Sequence, residues 1–141
     1  MGKKRIIKKG GDTNTGGTAL TRVPKKKVAL GVLNVLATFN NTILTLCDNK
    51  GNALISVSSG ALGFKGSRKS TPFAAAKVGE MIGEKALQMG MKDASVVIRG
   101  IGAGRESALR GFSGKGITIT KISDLTPVPH NGPRLPKPRR I

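Results

Sequence analysis

Residues 58–76 read SSGALGFKGSRKSTPFAAA, and the rest of the chain is organised around this stretch. It begins at the end of a strand-like segment, continues through a basic loop that contains several glycines, and enters a helix. Thr71 is predicted to cap that helix, because its hydroxyl can accept an amide hydrogen of the first turn. Pro72 fits the first helical position, where a missing N–H costs nothing. The sequence therefore predicts a helix that starts directly after the loop.

The loop within this stretch brings positive charge to the start of the helix. It carries Lys65, Arg68 and Lys69 together with free backbone donors. A helix N-terminus has a partial positive charge, so the combination suits a phosphate group. An ordinary solvated connection between a strand and a helix is the alternative interpretation.

The charge balance of the whole chain points to a polyanionic partner. Its 141 residues include 25 Lys+Arg and 7 Asp+Glu, which gives a formal net charge of +18 at pH 7. Such self-repulsion is relieved beside a polyanion, and nucleic acid is the leading candidate. An anionic membrane is disfavoured, since no apolar run approaches the roughly 20 residues that span a bilayer. The cations also do not lie opposite an aromatic helical face.

The few residues able to bind a metal limit the chemistry. Cys47 is the single cysteine and His130 the single histidine, so neither an internal disulfide nor a Cys/His zinc site can form within the chain. A lone cysteine agrees with a reducing compartment. The basic N-terminus is not followed by the apolar segment of a secretory signal. We therefore expect no cofactor and a cytoplasmic location, with an organelle as the alternative.

The distribution of charge and apolar residues divides the chain into three parts. Residues 1–27 form a basic N-terminal arm that is expected to stay disordered until RNA binds, because it has too little apolar surface to form a core. Residues 28–127 form the predicted α/β RNA-binding domain. Residues 128–141 form a basic C-terminal arm, whose prolines make it extended and semi-rigid.

The middle part has the element order β-β-β-α-β-α-β. Strands are predicted at residues 28–39, 42–47, 53–58, 94–99 and 117–122, and helices at 73–89 and 105–112. The first strand is apolar on both alternating sets, so we expect it to be central and buried on both faces. Gly79 and Gly83 are expected to let the long helix approach the sheet. The two helical crossovers predict parallel pairing of the last strands with the first. The expected fold is one α/β domain, a five-stranded mixed sheet flanked by helices.

Catalytic interpretations of the sequence are weak. Residues 100–106, GIGAGRE, follow a strand and open a helix, but they lack the G-x-G-x-x-G spacing of dinucleotide-binding turns. A backbone turn that presents Arg105 and Arg110 to RNA phosphate is the preferred interpretation. The element order is similar to that of ribonuclease-H-like nucleases, which use carboxylates to hold metal ions. The candidate carboxylates each have a simpler structural explanation; they are Asp48, Glu80, Glu84 and Asp124.

The composition also predicts how RNA is bound. The chain has no Trp, no Tyr and only 4 Phe, which disfavours a platform for stacking single-stranded bases. Its cations and 20 glycines favour close approach to the phosphates and sugars of folded RNA. Affinity should then fall steeply with salt, with a slope of about −0.7 to −0.9 per neutralised phosphate.

Five blocks of the sequence carry a family resemblance. They are FNNT at 39–42, Asp48 with GNAL at 51–54, GFKGSRKSTPFAA at 63–75, GAGRE at 102–106 and DLTPVPHNG at 124–132. With these blocks the chain resembles the small-subunit ribosomal protein eleven family, bacterial type, over residues 32–141. The resemblance implies a ribonuclease-H-like fold without catalysis and with no small-molecule substrate. It also implies a place on the platform of the small subunit, bound to the central domain of its ribosomal RNA, beside neighbouring platform proteins and near the messenger exit path.

The predicted RNA contacts combine the loop, two turns, both arms and the matching family positions. They are Lys25, Lys26, Lys27, Asn40, Asn41, Lys65, Gly66, Ser67, Arg68, Lys69, Arg105, Arg110, His130, Asn131, Arg134, Lys137, Arg139 and Arg140. A metal-dependent nuclease on the same fold and a nonspecific DNA-compacting protein are the alternative functions.

Overall fold

The computed structural model describes residues 23–137. Predictions for residues 1–22 and for Arg139 and Arg140 concern parts of the chain outside the described residues. The elements are β1 (Leu30–Ala37), β2 (Thr42–Asp48), β3 (Ala53–Ser58), a 3-10 helix (Gly66–Ser70), α1 (Pro72–Gln88), β4 (Asp93–Arg99), α2 (Arg105–Ser113) and β5 (Thr118–Asp124). The predicted order of strands and helices is confirmed, and the short 3-10 helix is an addition to it.

The five strands form one mixed sheet in the order β3-β2-β1-β4-β5. Short turns join β1, β2 and β3, so these strands pair antiparallel, whereas the helical crossovers bring β4 and β5 back in parallel. The register pairs Val35 with Leu44 of β2 and with Ile98 of β4. The mixed sheet and the central position of the first strand are thus confirmed.

The core lies on one face of the sheet. Leu33 and Val35 are fully buried or nearly so, whereas Leu30 and Leu36 on the alternate face of β1 are 51% and 41% exposed. Helices α1 and α2 pack against each other and against the buried face, and Phe112 of α2 joins its core cluster. The prediction that β1 is buried on both faces is therefore wrong, because no helix among the described residues covers the second face.

The glycines of α1 bring the two helices together. A Cβ at Gly79 would overlap the backbone carbonyl oxygen of Ala108, and one at Gly83 would lie 3.2 Å from another α2 carbonyl oxygen. Gly111 of α2 makes the reciprocal approach to the carbonyl of Ala76. These glycines thus permit close contact of α1 with α2, and the prediction of a close contact with the sheet is corrected.

The strand directions gather several loops at one end of the sheet, which we call the loop end. It is formed by the strand ends Ala37, Thr42, Ser58, Arg99 and Asp124. The loops of residues 38–41, 59–71 and 100–104 leave from this end, as does the segment from residue 125 onward. Within residues 23–137, no helix has both the length and the apolar character required to cross a bilayer.

Candidate nucleic-acid interface

The basic loop, residues 59–71, is held firmly at both of its ends. At its start, the amide of buried Ser59 donates to the carbonyl of Thr42 at 3.0 Å. At its end, the hydroxyl of Thr71 donates to the carbonyl of Arg68 at 2.7 Å and accepts from the amide of Ala74 at 3.3 Å. Thr71 is therefore the helix cap and Pro72 the first helical residue, as predicted. The cap positions the loop relative to α1.

The cations of the basic loop are available for a ligand. Lys65 and Arg68 are exposed and Lys69 is half-buried, beside exposed Gly66 and Ser67. No carboxylate of residues 23–137 forms an ion pair with these three cations. They lie directly before the N-terminus of α1, whose partial charge has the same sign. The loop is thus a concentrated positive surface suited to phosphate.

A second part of the loop end is the turn between β1 and β2. Asn40 is exposed, whereas Asn41 shapes the turn: its side-chain oxygen accepts from the Thr42 amide at 2.9 Å and its carbonyl accepts from the Thr38 amide at 2.9 Å. The amide of Gly102 donates to the carbonyl of Ala37 at 2.9 Å. This hydrogen bond holds the turn before α2 against the end of β1, beside the turn between β1 and β2.

Arg105 is anchored within the protein. Its guanidinium donates to the carbonyl of Gly100, to the hydroxyl of Thr126 at 3.4 Å and to the carboxylate of Asp124. The Thr126 hydroxyl and then Arg105 lower the pKa of Asp124 to about 2. Arg105 thereby fastens the segment after β5 to the turn before α2. Arg110 is exposed, and its only carboxylate contact among the described residues is Glu106 at 3.7 Å.

The N-terminal cations lie at the opposite end of the sheet. Lys26 donates to Asp48 at 2.7 Å, whereas Lys25 and Lys27 are exposed without an ion pair to any described residue. Asp48 is buried and also accepts from the amides of Lys50 and Asn52. The Lys26 ammonium, followed by the Asn52 side chain, holds the pKa of Asp48 well below its usual range. Lys26 thus fixes the direction in which the N-terminal segment enters the domain.

The C-terminal segment, which follows β5 from residue 125, is exposed from residue 127 to residue 137. His130, Asn131, Arg134 and Lys137 all have exposed side chains. The Nδ1 atom of His130 lies 3.0 Å from the carbonyl oxygen of Val128, and Asn131 has a φ of 55°. The segment starts at the loop end, at the edge of the sheet opposite the basic loop, so its cations form a separate positive segment.

The carboxylates considered for a nuclease do not form a metal site. Asp48 and Asp124 are paired with Lys26 and Arg105, while Lys77 binds Glu80 at 3.0 Å and Lys115 binds Glu84 at 2.7 Å. The Lys115 ammonium lowers the pKa of Glu84. Among residues 23–137, no three His, Cys, Asp or Glu side chains are grouped so that they could hold a metal ion.

The structure also reveals surface residues that the sequence pattern did not predict. Phe73 is 64% exposed at the start of α1, and half-buried Phe64 contacts it from the basic loop. The sequence does contain a signal for this exposure. Phe73 comes directly after Pro72 and lies outside the apolar positions that recur every three or four residues along the helix. A count of aromatic residues alone does not show that these two are at the surface.

The fold and this positive surface define a structural nucleic-acid-binding α/β protein. The chain matches the family described as Ribosomal protein S11 over residues 31–140, and it belongs to that family. It is 55% identical over 129 residues to the "Small ribosomal subunit protein uS11" of Burkholderia cenocepacia (strain HI2424), an overlap of 92% of this chain and 97% of that protein. The proteins of the same name from Burkholderia mallei (strain SAVP1) and Burkholderia pseudomallei (strain 1106a) are similar to the same extent.

Family membership establishes the general role of the chain. It is a structural ribosomal protein of the small subunit, binds ribosomal RNA and takes part in translation as a component of a ribonucleoprotein. The family is not enzymatic, so the alternative of a metal-dependent nuclease is wrong. The predicted resemblance to the bacterial type of this family is confirmed.

Proposed function

We propose that the chain stabilises the central-domain, or platform, region of small-subunit ribosomal RNA near the messenger exit path, mainly through phosphate and sugar contacts. The observation that carries this proposal is the loop end, where the strand directions place the Asn40 turn, the basic loop and the C-terminal segment at the same end of the sheet, with the basic loop at one edge and the C-terminal segment at the other. Cations, side-chain amides and exposed backbone are the groups that position a protein on the backbone of folded RNA.

The contacts divide into two groups according to their place on the sheet. At the loop end, the unpaired cations of the basic loop bind phosphate directly, while Asn41 and Arg105 act mainly by shaping the surface. At the opposite end, Lys25 and Lys27 extend the contact toward the N-terminal arm. When two segments of RNA bind opposite ends of one rigid sheet, the sheet fixes the position of one RNA segment relative to the other. This is the structural task that we propose.

Apolar side chains at the loop end support contact with neighbouring platform proteins. Phe39 is 72% exposed, Ile101 63% and Leu125 54%, and each follows a strand that ends there. Buried cores of protein interfaces are depleted of charge and rich in such side chains. We further propose that the chain works in cytoplasmic ribosomes, with messenger RNA nearby and with no small-molecule substrate or cofactor.

A charge-matched pair of variants tests the role of the basic loop. Arg68→Ala with Lys69→Ala removes two loop cations, and Lys92→Ala with Lys121→Ala removes two exposed cations elsewhere. Affinity for a transcript of the central domain is measured over a range of salt concentrations. The loop variant should bind more weakly, with a salt slope that is smaller by about 0.7 to 0.9 for each phosphate that is no longer neutralised.

The control variant should keep most of its affinity, and both variants should unfold at the temperature of the parent chain. Equal losses of affinity in the two variants would contradict the proposal, because they would mean that only total charge matters. Comparable affinity of the parent chain for random duplex DNA at physiological salt would instead favour a nonspecific compacting protein.

A further inference from the structure

An aromatic pair borders the basic loop. The rings of Phe64 and Phe73 lie 6.1 Å apart, centroid to centroid, with an interplanar angle of 81°. This edge-to-face arrangement is a favourable one for two aromatic rings, so each ring helps to orient the other. The Nζ atom of Lys77, one turn along α1, lies 5.7 Å from the centroid of Phe73. One cation thus lies beside the pair, and it also forms an ion pair with Glu80 at 3.0 Å.

Phe64 also lines an open groove in the basic loop. The groove has a volume of about 440 Å³ and is lined by Leu62, Gly63, Phe64, Lys65 and Arg68. The groove therefore has both apolar and cationic lining residues. Gly63 has a φ of 97°, and apart from its two chain neighbours no described residue has an atom within 4 Å of the place where its Cβ would be, so the groove is open beside Gly63.

We propose that this groove receives an unpaired nucleobase of RNA, which stacks on Phe64, the ring that Phe73 holds in place edge-to-face, while Lys65 and Arg68 bind the adjoining phosphates. The proposal rests on the proposed function of the basic loop and specifies which part of the RNA the loop binds. A nucleotide has a flat apolar base and a charged backbone, which match the apolar and cationic residues that line the groove. Aromatic side chains beside cations are the usual means by which proteins hold unstacked bases.

The proposal differs from the expectation that a platform for stacking single-stranded bases is disfavoured. That expectation rested on the small number of aromatic residues, only 4 Phe. Phe112 is fully buried, whereas Phe73 and Phe39 are largely exposed. Phe73 differs from Phe39 in having a second ring and cations beside it. One such site is sufficient to hold a bulged or loop nucleotide of folded RNA.

Two RNAs that differ only in their bases test the proposal with the full chain. The first is an oligoadenylate of about 12 nucleotides, a length within the range of single-strand binding sites. The second is an abasic strand of equal length with the same phosphates. Stacking of one base should make the dissociation constant for oligoadenylate about 5- to 150-fold lower than that for the abasic strand.

The variants separate stacking from charge. Phe73→Leu should lose most of the preference for oligoadenylate and keep its affinity for the abasic strand, whereas Phe73→Tyr, which retains the ring, should keep the preference. Phe39→Leu is the matched control and should behave as the parent chain. Because Phe73 is mostly exposed, its variants should fold normally, which thermal unfolding checks.

Equal affinity of the parent chain for the two RNAs, or a preference that survives Phe73→Leu, would overturn the proposed base site. Arg68→Ala reports on the underlying function separately. It should weaken binding to both RNAs and reduce the salt slope by about 0.7. If it changes neither, the basic loop does not bind phosphate, and the proposed function fails for a reason independent of Phe73.

Discussion

Replacing Gly79 with alanine should force α1 and α2 apart. The added Cβ would lie 3.0 Å from the amide nitrogen of Phe112 and would overlap the carbonyl oxygen of Ala108, whereas ordinary van der Waals contact is at 3.4–4 Å. Both obstructing atoms belong to the backbone, so no side-chain rotation can relieve the overlap. The helices must separate by roughly 1 Å, a gap that forfeits up to about half of the contact energy of the atoms concerned.

The expected magnitude follows from two opposing terms. Overpacking of a close contact costs about 1–3 kcal/mol, and a backbone obstruction belongs at the upper end of that range. Alanine is a better helix former than glycine by about 1 kcal/mol, which opposes the loss. The net expectation is a decrease of about 2 kcal/mol in the free energy of unfolding. At roughly 4 °C per kcal/mol, the unfolding midpoint should fall by about 8 °C.

Urea unfolding followed by circular dichroism measures this change. An exposed position of the same helix provides the reference: Lys77→Ala should be more stable than Lys77→Gly by about 1 kcal/mol, because only helix propensity differs between them. If Gly79→Ala were as stable as the parent chain or more stable, α1 and α2 would not pack as closely as described.

Three further perturbations have defined outcomes. Lys85 is buried and its ammonium has no hydrogen-bond partner among the described residues, so Lys85→Met should stabilise the domain by about 1–3 kcal/mol in urea unfolding at pH 7. Burial lowers the pKa of Lys85, so the stability deficit of the parent chain relative to Lys85→Met should shrink as the pH rises toward 10.5, and Lys92→Met, which keeps Lys85, should show the same shrinking deficit. Asp48→Asn should lower the thermal midpoint at pH 7 and reduce the further loss of stability below pH 3.8, because the stability that comes from the lowered pKa of Asp48 is complete above pH 3.8 and is lost gradually as the pH falls below it. Deletion of residues 134–141 should leave cooperative thermal unfolding intact while weakening RNA binding, since the described part of this segment is exposed.

Each of these outcomes has a contrary result. A less stable Lys85→Met would mean that the ammonium has a favourable partner in solution. An acid transition unchanged by Asp48→Asn would show that the Lys26 ion pair contributes nothing to folding. Loss of cooperative unfolding on deletion would show that the C-terminal segment packs on the domain.

Features set by neighbouring residues could be predicted from the sequence. The start of α1 depends on Thr71 and Pro72, whose capping and backbone preferences act within one turn. The element order followed from apolar periodicity and from turn residues, and the central position of β1 followed from the crossovers. These predictions needed no knowledge of distant contacts.

Features that depend on distant contacts could not be predicted. Both faces of β1 are apolar, and only the packing of the helices decides that Leu33 is buried and Leu36 exposed. The sequence around Lys26 and Arg105 suggests that both side chains are free to bind RNA. In the structure each pairs with a carboxylate, and the two partners lie 22 and 19 residues away along the chain. Gly79 in the sequence indicates that another element packs closely against α1. Only the fold shows that this element is α2.

The RNA specificity of the chain can be measured inside cells. Ultraviolet crosslinking followed by sequencing of the attached RNA shows whether the chain binds one defined region of ribosomal RNA. We predict one discrete cluster of crosslinks in the central domain of small-subunit ribosomal RNA, reduced at its strongest position by Arg68→Ala with Lys69→Ala. Crosslinks scattered over many RNAs or over DNA would contradict this prediction and would mean that the net charge acts without a specific site.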